Sequence, residues 1–331
     1  MKRREFIKGV GAGLAFGGAV LGGCKRDGSR AAVGRKGGPA RVAVFQDQDV
    51  RQKGGLDPKR VGGMLERALK AAFGSPDAAA GLRSVIADGD VVGIKLNCLA
   101  GRPLSPTREV CDALAGVLKR AGVSTDDMFF FERAERDIRK GGFEVRRGGD
   151  GPRFVGNDSP GFNYEPEPEM SGQVGSCLSR IVTRRIDVMI NLGVLKDHNL
   201  AGVGAGMKNL FGIIHNPNKY HEDGCDPYVA DVLAFPVVQK KLRLTILDAL
   251  TAQCEGGPGY LPAYAFEFNG ILASVDPVAL DRVAWDLIDK QRKKKGLPGL
   301  EKAGRPPRWI ETARKRGLGE GDLSKIEVVS G

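Results

Sequence analysis

The feature that most constrains this chain is an alternation between two kinds of apolar pattern. Short continuous apolar runs occur at RVAVFQD (41–47), DVVGIKLNC (90–98), MFFFERA (128–134), DVMINLGVL (187–195), LRLTILDAL (242–250) and NGILASVD (269–276). Between them, apolar residues recur at helical spacing in PKRVGGMLERALKAAF (58–73), SPTREVCDALAGVLKRAG (105–122), VGSCLSRIVTRR (174–185), VADVLAFPVVQKK (229–241) and PVALDRVAWDLIDKQRKKKG (277–296). A strand without polar alternation has to be covered on both faces. The chain is therefore expected to form an α/β fold: a largely parallel, doubly wound sheet with helices on both faces. Ser105 is the expected N-cap of the 105–122 helix and Gly122 its stop. The Gly-, Pro- and charge-rich stretch near 137–173 reads as an irregular excursion from one α/β domain spanning 41–331. No internal repeat is visible.

Residues 1–23 read as a targeting segment rather than as part of the fold. Arg3 and Arg4, followed by Phe6, Ile7 and Lys8, resemble a twin-arginine export signal, and Leu21-Gly22-Gly23-Cys24 resembles a lipobox whose cysteine takes a lipid. The glycine-rich run Gly9–Gly23 is too short for a comfortable membrane span. A polar linker, 24–40, follows. The expectation is an exported protein of the cell envelope, anchored to a membrane through Cys24. The first 23 residues take three of the eleven formal positive charges (Lys2, Arg3, Arg4 and Lys8 against Glu5), leaving +8 for the rest. Such a charge favours anionic small molecules or polymers. Nucleic acid is a poor partner for an exported chain that lacks a nucleic-acid-binding motif and has only 6% aromatic residues. Beyond Cys24, five cysteines (98, 111, 177, 225, 254) include no short CxxC pair, which excludes a ferredoxin-type iron–sulfur motif.

Ligand sites of open α/β sheets form outside the carboxyl ends of the strands. Those ends hold Lys95 and Asn97; Glu132 and Arg133; Lys196, Asp197 and His198; Asp248; and Asp276. The glycine-rich AGVGAGMKN (201–209) fails as a phosphate loop, because Met207 separates Gly206 from Lys208 and Asn209 stands where a hydroxyl is needed. What remains is an anion-friendly helix start, with the amides of Gly204 and Gly206 supported by Lys208 and Asn209. In CEGGPGY (254–260) the glycines allow close approach to a ligand, and Glu255 is the only charge. The three histidines, His198, His215 and His221, are too far apart for a helical HExxH site. Either the fold brings them together, with Asp276 and Asp281, around a divalent metal, or His215 caps a helix end and His221 is an exposed loop residue. Asp276 also reads as a plain N-cap.

The motifs GIKLN (93–97), PTREV, INLGVLKDH (190–198), GMKNLFGIIH (206–215), the Asp248 strand, GGPG (256–259) and ILASVDPVALDRVA (271–284) occur in an order that resembles domain of unknown function family 362. The resemblance implies an α/β domain whose polar motif residues are Lys95, Asn97, Lys196, His198, Lys208, Asn209, Asp248, Asp276 and Asp281. Many relatives carry ferredoxin-type cysteine clusters, which this sequence lacks.

These readings combine into one expectation: an exported, lipid-anchored protein with a polar cleft, either a metal- or cofactor-dependent enzyme or a cofactor-binding protein. His198, Lys196, Lys208 and Asp248 are its catalytic candidates. Lys95, Asn97, Gly204, Gly206, Asn209 and Glu255 are its ligand-binding candidates. The competing expectation is a non-catalytic envelope protein that binds an anionic polymer or partner through its basic surface.

Overall fold

A computed structural model describes residues 39–331; the twin-arginine-like segment, Cys24 and nearly all of the linker lie outside the described residues. The strands of the main sheet are β1 (Ala40–Gln46), β2 (Val92–Lys95), β3 (Met128–Glu132), β4 (Arg153–Gly156), β5 (Val188–His198), β6 (Gly202–Val203), β7 (Leu242–Gln253), β8 (Ala265–Ser274) and β9 (Ile326–Ser330). Their spatial order is β9-β1-β8-β7-β5-β2-β3-β4, with β6 folded back on β5. The neighbours from β7 to β4 are all parallel, as are β1 and β9. Only β8 and the short β6 run against their neighbours. The expected α/β sheet, largely parallel and covered on both faces, is what forms.

Burial follows the pleat. Val42, Val44, Phe129, Phe131 and Met189 enter one core, while Ala43, Phe45, Phe130, Val188 and Ile190 enter the other. The second core is closed by α1 (Pro58–Phe73), α2 (Ala78–Arg83) and α3 (Arg108–Arg120). Helix α1 starts where the Asp57 carboxylate accepts from Lys59 N and Arg60 N at 2.9 and 3.3 Å. It buries Val61, Met64, Leu65 and Leu69 along one stripe. Each such side chain contributes about 1.5–3 kcal/mol when fully withdrawn from water. After the short α4 (Glu135–Lys140), the first core is closed by α5 (Gly206–Asn209), α6 (Tyr228–Leu233), α7 (Pro236–Lys241), α8 (Pro277–Lys294) and α9 (Trp309–Lys315).

Several boundaries differ from the sequence reading. Thr107, not Ser105, caps α3 by accepting from Val110 N, and the Ser105 hydroxyl donates to Gly101 O instead. The stretch 174–185 is not a helix: Val174–Ser176 pairs with Glu169–Ser171 as a hairpin, and only Ile181–Arg185 makes one wide helical turn. Pro236 splits the expected 229–241 helix into α6 and α7, since its ring excludes a continuous hydrogen-bond ladder. The 137–173 excursion contains the edge strand β4. Among the described residues no helix is long and apolar enough to cross a membrane, and all five described cysteines are free thiols.

Candidate functional site

From β2 the chain moves outward through β3 to β4, but β5 and β7 lie on the other side of β2. The strand order therefore reverses between β2 and β5, and a crevice is forced open beyond their carboxyl ends. Lys95 ends β2, Glu132 ends β3, and Lys196 and His198 end β5. A cleft of about 390 Å³ lies there, lined by these residues together with Asn97, Gly204, Lys208, Asn209 and His221.

Three lysines with almost no solvent exposure meet in this cleft: Lys95, Lys196 and Lys208 are 0%, 2% and 8% exposed. Their surroundings differ. Lys95 Nζ lies 3.1 Å from Glu132 Oε2 and donates to Asn209 Oδ1 at 3.2 Å and to Leu96 O. Gly212 makes room for that ammonium: a Cβ there would lie 2.7 Å from Lys95 Nζ. Lys196 Nζ donates to Asn97 Oδ1 at 3.0 Å and has no carboxylate within ion-pair distance among the described residues. Lys208 Nζ lies 3.6 Å from the centre of the Phe211 ring and donates to His221 Nε2 at 3.1 Å. Burial pulls both Lys196 and Lys208 down to about 8, because an ammonium withdrawn from water is costly. Asparagines brace the set. Asn209 donates to Lys95 O and to Asn191 Oδ1, and Asn191 in turn donates to Gly206 O.

The two histidines of the cleft have defined tautomers. Leu200 N and Ala201 N both donate to His198 Nδ1 at 3.2 Å, which puts the ring proton on Nε2. Burial, and then the Lys208 charge, push the His198 pKa down to about 2, so the ring stays neutral and its basic nitrogen is occupied. His198 is thus a neutral N–H donor here. His221 Nδ1 donates to Pro217 O at 3.0 Å, leaving the Nε2 lone pair for Lys208. The two rings stack with centroids 5.7 Å apart.

The other expected residues are used elsewhere. His215 is exposed and packs edge-on against Tyr164 at 5.0 Å, away from the other two histidines. Asp276 caps α8 by accepting from Val278 N and Ala279 N at 2.9 and 3.0 Å, and also accepts from Glu320 N. Asp281 accepts from Gly206 N and Met207 N, both at 2.7 Å. That corrects the anion-friendly helix start: those amides are already held by a buried carboxyl, whose pKa burial raises to about 7. Asp248 accepts from Thr107 N, Thr107 Oγ1 and Leu250 N, so it fastens the start of α3 rather than facing the cleft. Glu255 pairs with Arg292 and Arg305, and Arg305 also holds Asp197 at 2.8 Å. The metal set therefore does not converge: among the described residues, no three His, Cys, Asp or Glu side chains are grouped so as to hold an ion.

Some of the lining was not singled out from the sequence. Leu99 and Leu200, 49% and 47% exposed, stand at the mouth with Pro258. Asp137, 1% exposed, faces the cleft; its Oδ1 accepts no hydrogen bond but lies 3.4 Å from Arg136 Nε, and burial raises its pKa. Asp137 was hidden because it follows the strand end by five residues, inside what read as an excursion.

The fold and cleft define the class as an open, mostly parallel α/β protein with a lysine-lined crevice at the reversal of strand order. The chain belongs to the family described as Domain of unknown function (DUF362), whose model matches residues 92–286. Every residue of the cleft lies inside the matched region. No curated protein matches the chain.

Proposed function

We propose that the cleft binds a small anionic molecule, through a phosphate or carboxylate group, and acts on it. The observation that carries this reading is the convergence of three buried lysines, only one of them matched by a carboxylate. A protein keeps unpaired buried charge at a cost in stability, so such charge marks a site that a ligand completes. Lys196 and Lys208 have N–H groups left to hold an anion, Asn97 directs the first and His221 the second, and His198 offers a neutral N–H donor. Lys208 and His221 together can pass a proton. The expected metal finds no donor shell in these side chains and takes no part in the proposal.

The N-terminal pattern supports a second element of the reading: export by the twin-arginine route and attachment to a membrane through lipidated Cys24. Globomycin-sensitive processing of the full chain, lost in Cys24→Ala, is the expected result; unaltered processing in Cys24→Ala contradicts it. For the cleft, inorganic phosphate or citrate should raise the melting temperature of the wild type and not of Lys208→Ala, at constant ionic strength. An equal rise in both would assign the effect to the basic surface instead.

A further inference from the structure

We propose that Lys196 is a nucleophile, forming a Schiff base with the carbonyl carbon of an anionic oxo compound held in the cleft; this rests on the anion-binding reading above. The three lysines are not equivalent. Lys95 has a carboxylate, an amide oxygen and a backbone carbonyl around its nitrogen, so its N–H groups are already engaged. Lys208 is held by the face of Phe211 and by His221 Nε2. Lys196 has one hydrogen-bond partner, the neutral Asn97 Oδ1, and among the described residues no carboxylate in ion-pair contact; Glu132 favours its ammonium only from further away, by less than burial opposes it. The Asn97 bond aims the nitrogen while leaving its other valences toward the cleft. Desolvation beside another cation is the setting in which a lysine amine becomes nucleophilic.

The surrounding groups suit the same chemistry. Lys208 supplies charge for the carboxylate or phosphate of the ligand. His198, with its proton fixed on Nε2, offers a neutral donor to the carbonyl oxygen. The amine nitrogen attacks the carbonyl carbon, forming a C–N bond while the C=O π electrons move to oxygen. The two N–H hydrogens then leave with that oxygen as water, and the C=N bond remains. No oxidant or reductant is required.

The test uses pyruvate and pyridoxal 5′-phosphate as probes, each incubated with the folded wild-type chain and then with borohydride, which reduces an imine to a stable secondary amine. Peptide mapping should place the adduct on Lys196, with labelling at least about tenfold above that of exposed lysines, as an activated amine requires. Phosphate should compete with it, and folded Lys196→Met should lose it. Adducts on Lys208, adducts spread over surface lysines and indifferent to phosphate, or no adduct with either probe would each overturn the proposal. If no adduct forms while phosphate still raises the melting temperature, the carbonyl claim fails alone. If phosphate has no effect either, the anion-binding reading fails with it.

Discussion

The Lys208 ammonium donates to His221 Nε2 at 3.1 Å, and His221 Nδ1 donates to Pro217 O at 3.0 Å. This chain of two hydrogen bonds requires a neutral imidazole. A proton on Nε2 would put two cations in contact inside the cleft, and burial together with Lys208 holds the His221 pKa below 6.5. His198 is held lower still, at about 2.

In mild acid the two histidines therefore withdraw stability, while Asp281, whose pKa burial raises to about 7, adds it on protonating. Between each folded histidine pKa and the ordinary value near ~6.5, the unfolded chain binds protons that the folded chain does not, so the histidine contribution to stability falls as pH drops below about 6.5. Urea midpoints measured from pH 7.5 to 5 should change by a more negative amount in the wild type than in His221→Asn; equal changes would mean that His221 is not held neutral.

Opposite signs are expected for two of the lysines. Lys196→Met replaces a buried ammonium that no carboxylate contacts with an apolar side chain of similar length, and should stabilise the chain by ~1–3 kcal/mol while abolishing anion binding. Lys95→Met strands Glu132, which is 5% exposed, and should destabilise by ~3 kcal/mol or more. Denaturant unfolding at pH 7 distinguishes the two. Loss of stability in both variants would contradict the division between a structural and a ligand-seeking lysine.

Gly212→Ala should impair the cleft without touching a charged residue. Its Cβ would lie 2.7 Å from Lys95 Nζ, so the end of the Lys95 side chain has to shift against Glu132 and Asn209. At least a tenfold loss of phosphate affinity is expected, about 1.4 kcal/mol, read by titration calorimetry. Binding equal to the wild type would show that the Lys95 position is not needed.

Asp281→Ala leaves Gly206 N and Met207 N without their acceptor in a buried setting. Two unpaired N–H groups should cost ~2–6 kcal/mol together, and Lys208, one residue further on, should lose its placement. Asp281→Asn retains one acceptor oxygen and should fall between the two in melting temperature.

The sheet was legible because its strands are continuous apolar runs, and a run such as VMINLGVL has no other stable use than a doubly covered strand. The strand ends located the cleft for the same reason: Lys95, Asn97, Lys196, His198, Lys208 and Asn209 all line it. The aspartates were not legible as structural residues. Asp248, Asp276 and Asp281 carry the same charge at similar strand or helix boundaries as a catalytic carboxylate would. Only three-dimensional placement reveals that backbone N–H groups already occupy them. His215 and His221 share a sequence stretch, yet the turns between Leu210 and Tyr220 send one to the surface and the other to Lys208. Gly212 carried no signal, since its role is the absence of a side chain beside one that is distant in sequence.

The central claim is that the cleft holds lysines whose charge awaits an anion. Its most direct test is a pH titration of ¹³C-labelled lysine side chains by NMR, with assignments from Lys196→Met and Lys208→Met. Two resonances should titrate near pH 8, far below the exposed lysines, and both should move to higher pH when phosphate is added, because a bound anion favours the ammonium form. Lysines that all titrate together near ~10.4, with no response to phosphate, would contradict it.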